Sequence, residues 1–235
     1  MAESGVPDTS LATTPRPVRR RLIIVGGAVI IVAAVIGILF WRHQADVNAR
    51  RADAQQHLNL ARKQQAKIQA LWKQYDNLVD SYNRAEDDAH AAGHRRHDSH
   101  DESFMLVQAK KELVDVETMQ ANTAARRGSL DSLADAYAEA LGDSSVSGFR
   151  SSAGQFVQMV ELGLTRWWRA IGEIVDSVNG TDFPSENIAQ LYDESSDYQT
   201  RARTQSDQLM HQSSNLDKQV QARIDAAKQN LAAIR

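Results

Sequence analysis

One stretch of this sequence limits the possible folds more than any other: twenty residues without a charge, from Leu22 to Trp41. As a helix rising about 1.5 Å per residue, the stretch would measure about 30 Å, the thickness of a bilayer's hydrocarbon core. A cleavable signal peptide has a shorter apolar region with a small-residue cleavage site close behind it. The sequence therefore predicts an uncleaved signal anchor, a single transmembrane helix in the cell membrane.

The charges on either side of this segment predict its orientation. A basic flank begins the segment 16–41, with four arginines before the apolar run and three after it: Arg16, Arg19, Arg20 and Arg21, then Arg42, Arg50 and Arg51. The positive-inside rule favours a cytoplasmic N-terminus and an extracytoplasmic, periplasmic C-terminal domain. The opposite orientation stays open because further basic residues follow Arg51. Residues 1–15 lack any hydrophobic periodicity and are expected to form a disordered tail.

Small residues recur within the apolar segment at positions that share a side of a helix. Small side chains let helices approach closely in lipid, where packing drives association. These positions are candidates for contact with other transmembrane helices, either of a larger complex or of a second copy: Gly26, Gly27, Ala33, Ala34 and Gly37. Gly and Ala are also common in any membrane helix, so the pattern has an ordinary explanation as well.

The rest of the chain has the composition of long helices, and the fold class that it predicts is all-α. Only four prolines occur, and apolar residues recur at spacings of three and four. We expect a first stalk helix over 42–89, an acidic helical head over 90–184 and a returning stalk helix over 185–235. The last begins with Pro184 and a Ser185 cap.

The two stalks have similar lengths, and each carries an apolar stripe too weak to be stable alone. Packed antiparallel, they would cover each other as a helical hairpin with the head at its far end. A parallel coiled-coil dimer of the first stalk is the alternative. Both arrangements would be loose, because many stripe positions are Gln, Ser or Ala, and a partner protein would therefore help.

The head contains the strongest amphipathic pattern of the chain, between residues 149 and 178. Its apolar residues lie on one arc of a helix, so they are expected to form the core of the head: Phe149, Phe156, Val160, Leu164, Trp167, Ile171, Ile174 and Val178. Leu162 and Trp168 lie off that arc. They are candidates for contact with a partner protein, since exposed aromatic residues often anchor interfaces.

Four of the seven histidines lie close together between the first stalk and the head: His90, His94, His97 and His100. Spacings of four and three would place them along one side of a continuous helix, where they could bind a transition metal. Gly93 argues against a rigid helix here, and the two arginines at 95 and 96 would repel a cation. A pH-responsive cluster and a plain solvated interhelical loop are the alternatives.

No pattern in the sequence indicates catalysis. A phosphate-binding glycine loop, a nucleophile elbow and a zinc-protease motif are all missing, and no cofactor is expected. The chain has no cysteine and a net charge of −3, which gives no reason to expect nucleic acid as a partner. The sequence thus favours a non-enzymatic, membrane-anchored accessory or scaffold subunit of a multi-subunit complex. A metal- or pH-responsive binding protein that uses residues 90–100 is the alternative.

Overall fold

The structure is a computed structural model that describes residues 18–180 and 187–234, with side chains from residue 34 onward. The described chain forms helices: α1 over Val18–His97, α2 over Glu102–Leu141, α3 over Asp143–Val178 and α4 over Ile188–Ala233. The all-α prediction is confirmed. The expected tail, 1–15, and the Pro184–Ser185 start signal lie outside the described residues.

The chain divides into two compact units. The first includes the described residues 18–53 and Ile234, and the second is Ala54–Ala233. Within the first unit, Arg50 forms an i,i+4 ion pair with Asp46 at 2.8 Å, and Arg51 donates a hydrogen bond to the Ile234 carbonyl at 3.0 Å. Among residues with described side chains, no helix meets the length and hydropathy of a membrane span.

The second unit is an antiparallel four-helix bundle. Its helix directions follow from hydrogen bonds that join distant parts of the chain. Lys67 of α1 contacts Glu139 near the end of α2, whereas Arg96 contacts Glu112 near the start of α2. Two contacts each show the same for α2–α3, Arg150 with Asp135 and Arg127 with Glu161, and for α3–α4, Arg166 with Glu194 and Ser195 with Gly163. For α1–α4, Gln65 contacts Gln221 toward the end of α4, whereas Arg96 contacts Tyr192 near its start.

The first and last helices are therefore antiparallel, as the sequence predicts. The expected distal head over 90–184 is wrong, because α2 and α3 fold back beside α1 and α4 within the second unit. The physical reason is that the buried side of α2 extends over most of its length, from Ala109 to Ala140, and other helices must cover it.

One helix boundary also differs from the expected one, because helix α1 continues to His97, eight residues beyond the expected end at Ala89. Helix α2 continues through Gly128, since one glycine costs a helix only about 1 kcal/mol. The true breaks carry stronger signals: the Asp101 side chain accepts a hydrogen bond from the Ser103 amide at 2.9 Å, and Gly142 has a φ of 96° between α2 and α3.

The core of the bundle contains the apolar stripes that the sequence predicts. On α3 the expected arc is buried except for Val178, which is half-buried. The stripes of the two stalks are also buried or half-buried; the buried members include Leu58, Ile68 and Tyr75 on α1 and Leu209, Leu216 and Ile224 on α4. The amphipathic helix of α3 is thus a core helix, as its pattern indicates.

Candidate functional site

A buried carboxylate lies next to the histidine-rich end of α1. Glu112 of α2 is 2 % exposed, and residues of the three other helices contact it. Its Oε2 accepts a hydrogen bond from Arg96 Nε at 3.2 Å, and its Oε1 accepts one from Trp167 Nε1 at 2.9 Å. The Tyr192 hydroxyl donates to Oε1 at 3.4 Å. We call these four side chains the Glu112 cluster.

The cluster is closed by a further hydrogen bond and balances its own charge. Arg96 Nη2 donates to the Tyr192 hydroxyl oxygen at 2.9 Å, so the guanidinium binds both the carboxylate and the phenol. Burial, with a further contribution from the charge of Glu112, raises the pKa of Tyr192 well above its usual range. Tyr192 therefore stays a neutral hydrogen-bond donor at physiological pH. An ion pair with its hydrogen bonds complete is a stable arrangement for a buried carboxylate.

A glycine permits this close approach of α1 to α2. A Cβ atom at Gly93 would lie 3.2 Å from Glu112 Oε1, which is tighter than an ordinary contact. Sequence reasoning gave Gly93 the opposite role, as evidence against a helix. The structure places Gly93 inside α1, where the missing side chain leaves room for the carboxylate.

Three of the four clustered histidines line a cleft beside the Glu112 cluster. The cleft has a volume of about 330 Å³, and His90, His94 and His97 lie along its α1 side. The His90 ring packs against the Trp167 ring with centroids 4.7 Å apart. His100 lies beyond the end of α1, in the connection to α2. The expected interhelical loop is thus confined to the residues between His97 and Glu102.

The histidines do not form a metal-binding group in this structure. Across the part of the chain that the structure describes, no three His, Asp or Glu side chains are close enough together to hold one ion. The His97 Nδ1 lies 3.6 Å from Asp98 Oδ1, at a highly exposed position. Helical spacing alone put these side chains on one side, but His90 packs on an aromatic ring instead of meeting the others at a shared point.

The two candidate partner-contact residues have different environments. Trp168 is 39 % exposed, and its Nε1 donates to Glu117 Oε1 at 3.3 Å. Leu162 is half-buried. Three further exposed apolar residues, which the sequence analysis missed, lie on α2: Phe104, Val107 and Val114. Successive members of this set are three and seven residues apart, which places them on one face of the helix. This pattern is visible in the sequence.

The candidate helix-packing residues of the apolar segment are only partly described. Gly26, Gly27 and Ala33 lie outside the residues with described side chains. Ala34 is exposed, and a Cβ atom at Gly37 would meet nothing within 4 Å. Both positions have open space beside them.

Glu112 also escaped the sequence analysis, although a signal for it exists. It follows Ala109 and precedes Val116 and Met119 at spacings of three and four, and all of these residues are buried. A charged residue in an apolar register indicates a buried polar contact, because an unpaired charge there would be costly.

Comparison of the chain with protein-family models, with curated proteins and with solved structures finds no match.

Proposed function

We propose that this protein is a non-enzymatic, membrane-anchored accessory or scaffold subunit of a multi-subunit membrane complex. Its apolar segment 22–41 would anchor it in the membrane beside other transmembrane helices. Its antiparallel bundle would bind a partner protein. The expected orientation places the bundle outside the cytoplasm.

The observation that carries the proposal is the exposure of large apolar residues at the end of the apolar segment. Six of them between residues 35 and 41 are 49–72 % exposed: Val35, Ile36, Ile38, Leu39, Phe40 and Trp41. A continuous apolar surface of this kind is unfavourable in water and is typical of contact with lipid or protein. Trp41 at the end of the run suits the membrane–water interface.

A second apolar surface supports the partner-binding role. Phe104, Val107 and Val114 of α2 are 41–60 % exposed, and Trp168 lies next to α2 through its bond to Glu117. We call these four residues the α2 apolar face. Exposed aromatic and apolar residues on two helices packed side by side, here α2 and α3, form a suitable anchor for another protein.

A photo-crosslinking experiment in the native membrane tests the proposal. A photoreactive amino acid replaces Val107 in the full chain, and a matched variant carries it at Gln208, an exposed position of α4. We expect the protein to stay in the membrane after alkaline extraction, and the Val107 variant to give one crosslinked partner that the Gln208 variant lacks. Release into the alkaline supernatant would contradict the anchor, and identical products from both variants would contradict the α2 apolar face.

The alternative, a metal- or pH-responsive protein, has one observation in its favour. His90, His94 and His97 line a cleft of about 330 Å³ that has room for a ligand. Metal analysis of the full chain from its own membranes tests it, with His94→Ala and His97→Ala as variants. A stoichiometric transition metal that is lost in both variants would support a metal-responsive function over the scaffold.

A further inference from the structure

Arg126 of α2 is a buried cation that has no carboxylate partner among the described residues. The residue is 7 % exposed, and none of the ion pairs among the described residues includes it. Within the described part of the chain, its one hydrogen bond runs from Nη2 to the Tyr75 hydroxyl oxygen at 3.1 Å, and Nε has no partner there. This is unusual, since a guanidinium stays charged in proteins and a buried charge is normally paired.

Aromatic rings hold the guanidinium in place without neutralising it. The Arg126 Cζ lies 5.4 Å from the centroid of the Tyr75 ring, 5.0 Å from that of Tyr82 and 4.8 Å from that of Phe156. Ring faces attract a cation at these distances. Three rings in contact also restrict the side chain to one orientation. The positive charge is therefore fixed in position and remains available to an anion.

A cleft of about 220 Å³ opens beside this guanidinium. Apolar side chains from α1, α3 and α4 form much of its wall: Val79, Tyr82, Phe156, Val160 and Ala202. Its charged members are Arg126, Arg203 and Glu86, so the lining carries one more positive than negative charge. The polar members are Asn83, Gln199 and Ser206. The lining is therefore mixed, about half polar and half apolar, which suits a small molecule with a charged group and an apolar body.

We infer that this cleft binds a small organic monoanion, with a carboxylate that pairs with Arg126 and a compact apolar body that packs against Phe156 and Val160. A planar guanidinium matches the two oxygens of a carboxylate, whereas a spherical inorganic anion would leave the apolar walls uncovered. The cleft is smaller than the roughly 300–1,000 Å³ of sites for drug-sized ligands, which restricts the ligand to a few carbon atoms or one ring. Arg203, exposed on α4, would add a second positive charge at the rim.

Calorimetric titration of the full chain in detergent tests the inference with benzoate and hexanoate as probes. The amides benzamide and hexanamide have nearly the same shapes without the charge. We expect one carboxylate to bind per chain with a Kd below about 10 mM, and each amide to bind at least about tenfold more weakly. Absence of binding by both carboxylates, or equal binding of acids and amides, would overturn the inference.

Three variants locate the site. Arg126→Gln should weaken carboxylate binding at least about tenfold. The control is Arg127→Gln, which removes the neighbouring charge and should leave binding unchanged, because Arg127 pairs with Glu161 at the surface. Arg203→Gln changes only an exposed side chain and should weaken binding about threefold, so it decides the matter if Arg126→Gln does not fold. Unchanged carboxylate binding in a folded Arg126→Gln variant would place the carboxylate elsewhere. If Arg126→Gln does not fold, unchanged binding in Arg203→Gln would lead to the same conclusion.

Discussion

At the scale of single residues, buried polar side chains distinguish this bundle from a plain apolar one. Glu112 is 2 % exposed and has three protein donors, whereas Arg126 is 7 % exposed and has one hydrogen bond. The two residues lie on the same helix and have opposite charge, yet only Glu112 has a full set of partners. This contrast separates a structural ion pair from a charge that is available to a ligand.

The replacement Glu112→Ala should strongly destabilise the bundle. It would leave Arg96 partly buried without its carboxylate and remove the acceptor of Trp167, and breaking a buried pair from one side costs about 3–5 kcal/mol. The control is Glu161→Ala, which deletes the same side chain from an exposed pair with Arg127 and should cost less than about 1 kcal/mol. Urea unfolding measures both free energies, and equal losses would contradict the structural role of Glu112.

The buried tyrosines predict how stability depends on alkaline pH. Burial is the main cause that raises the pKa values of Tyr82, Tyr137 and Tyr192 above the usual range. An unfolded tyrosine ionises near pH 10, so the stability from these three groups is complete below about pH 10 and is lost as the pH rises further.

The measurement is the free energy of unfolding by urea at a series of pH values from about 7 to about 11. We expect a plateau up to about pH 10 and a decline above it, with a weaker decline in Tyr192→Phe. In the folded protein, phenolate absorbance should rise at a higher pH than it does for free tyrosine. Full ionisation of all five tyrosines in the folded protein near their ordinary pKa would contradict the burial of these three.

At the scale of the helices, polar contacts set which residues of neighbouring helices face each other. At one level, Trp72 Nε1 donates to the Tyr137 hydroxyl at 2.9 Å, and this hydroxyl donates to Asp217 at 2.7 Å. At a second level, Arg126 contacts the rings of Tyr75, Tyr82 and Phe156. The Glu112 cluster joins the helices at a third level. A helix shifted along its axis would lose these partners while many apolar contacts could re-form. Such contacts therefore favour one register.

Close approach of α3 and α4 depends on a glycine. A Cβ atom at Gly163 would lie 3.3 Å from Tyr198 Cβ and 3.4 Å from the Ser195 carbonyl oxygen, whereas a Cβ atom at Gly172 would meet nothing within 4 Å. We expect Gly163→Ala to destabilise the bundle by about 1–3 kcal/mol through overpacking. Gly172→Ala, in the same helix, should stabilise it by up to about 1 kcal/mol. Thermal unfolding compares the two, and equal shifts in Tm would contradict the contact.

The helices could be predicted from the sequence better than the way they pack. The spacings of apolar residues on α1, α3 and α4 identify most of the buried residues, because a helix repeats every 3.6 residues. The same spacings do not tell which helix covers a given stripe, and the expected distal head was wrong for that reason. The Glu112 cluster joins residues between 16 and 96 positions apart, a separation that no local pattern reveals.

At the scale of the whole molecule, the chain has an apolar segment and a bundle whose surface is only partly polar. Among the described residues, the exposed run between Val35 and Trp41 and the α2 apolar face are apolar surfaces that are unfavourable in water. In a scaffold subunit, the first surface would contact lipid and the second would contact a partner protein.

Replacing Val107 and Val114 by Ser should therefore leave folding unchanged and weaken the partner's co-purification at least about tenfold. Undiminished co-purification would exclude the α2 apolar face as the docking surface.

Native mass spectrometry of the tagged full chain, extracted in mild detergent from its own membranes, tests the central claim most directly. We expect an assembly of fixed stoichiometry that contains at least one different protein, with this chain released intact at higher collision energy. A chain that arrives alone, or only as copies of itself, would contradict the accessory-subunit function.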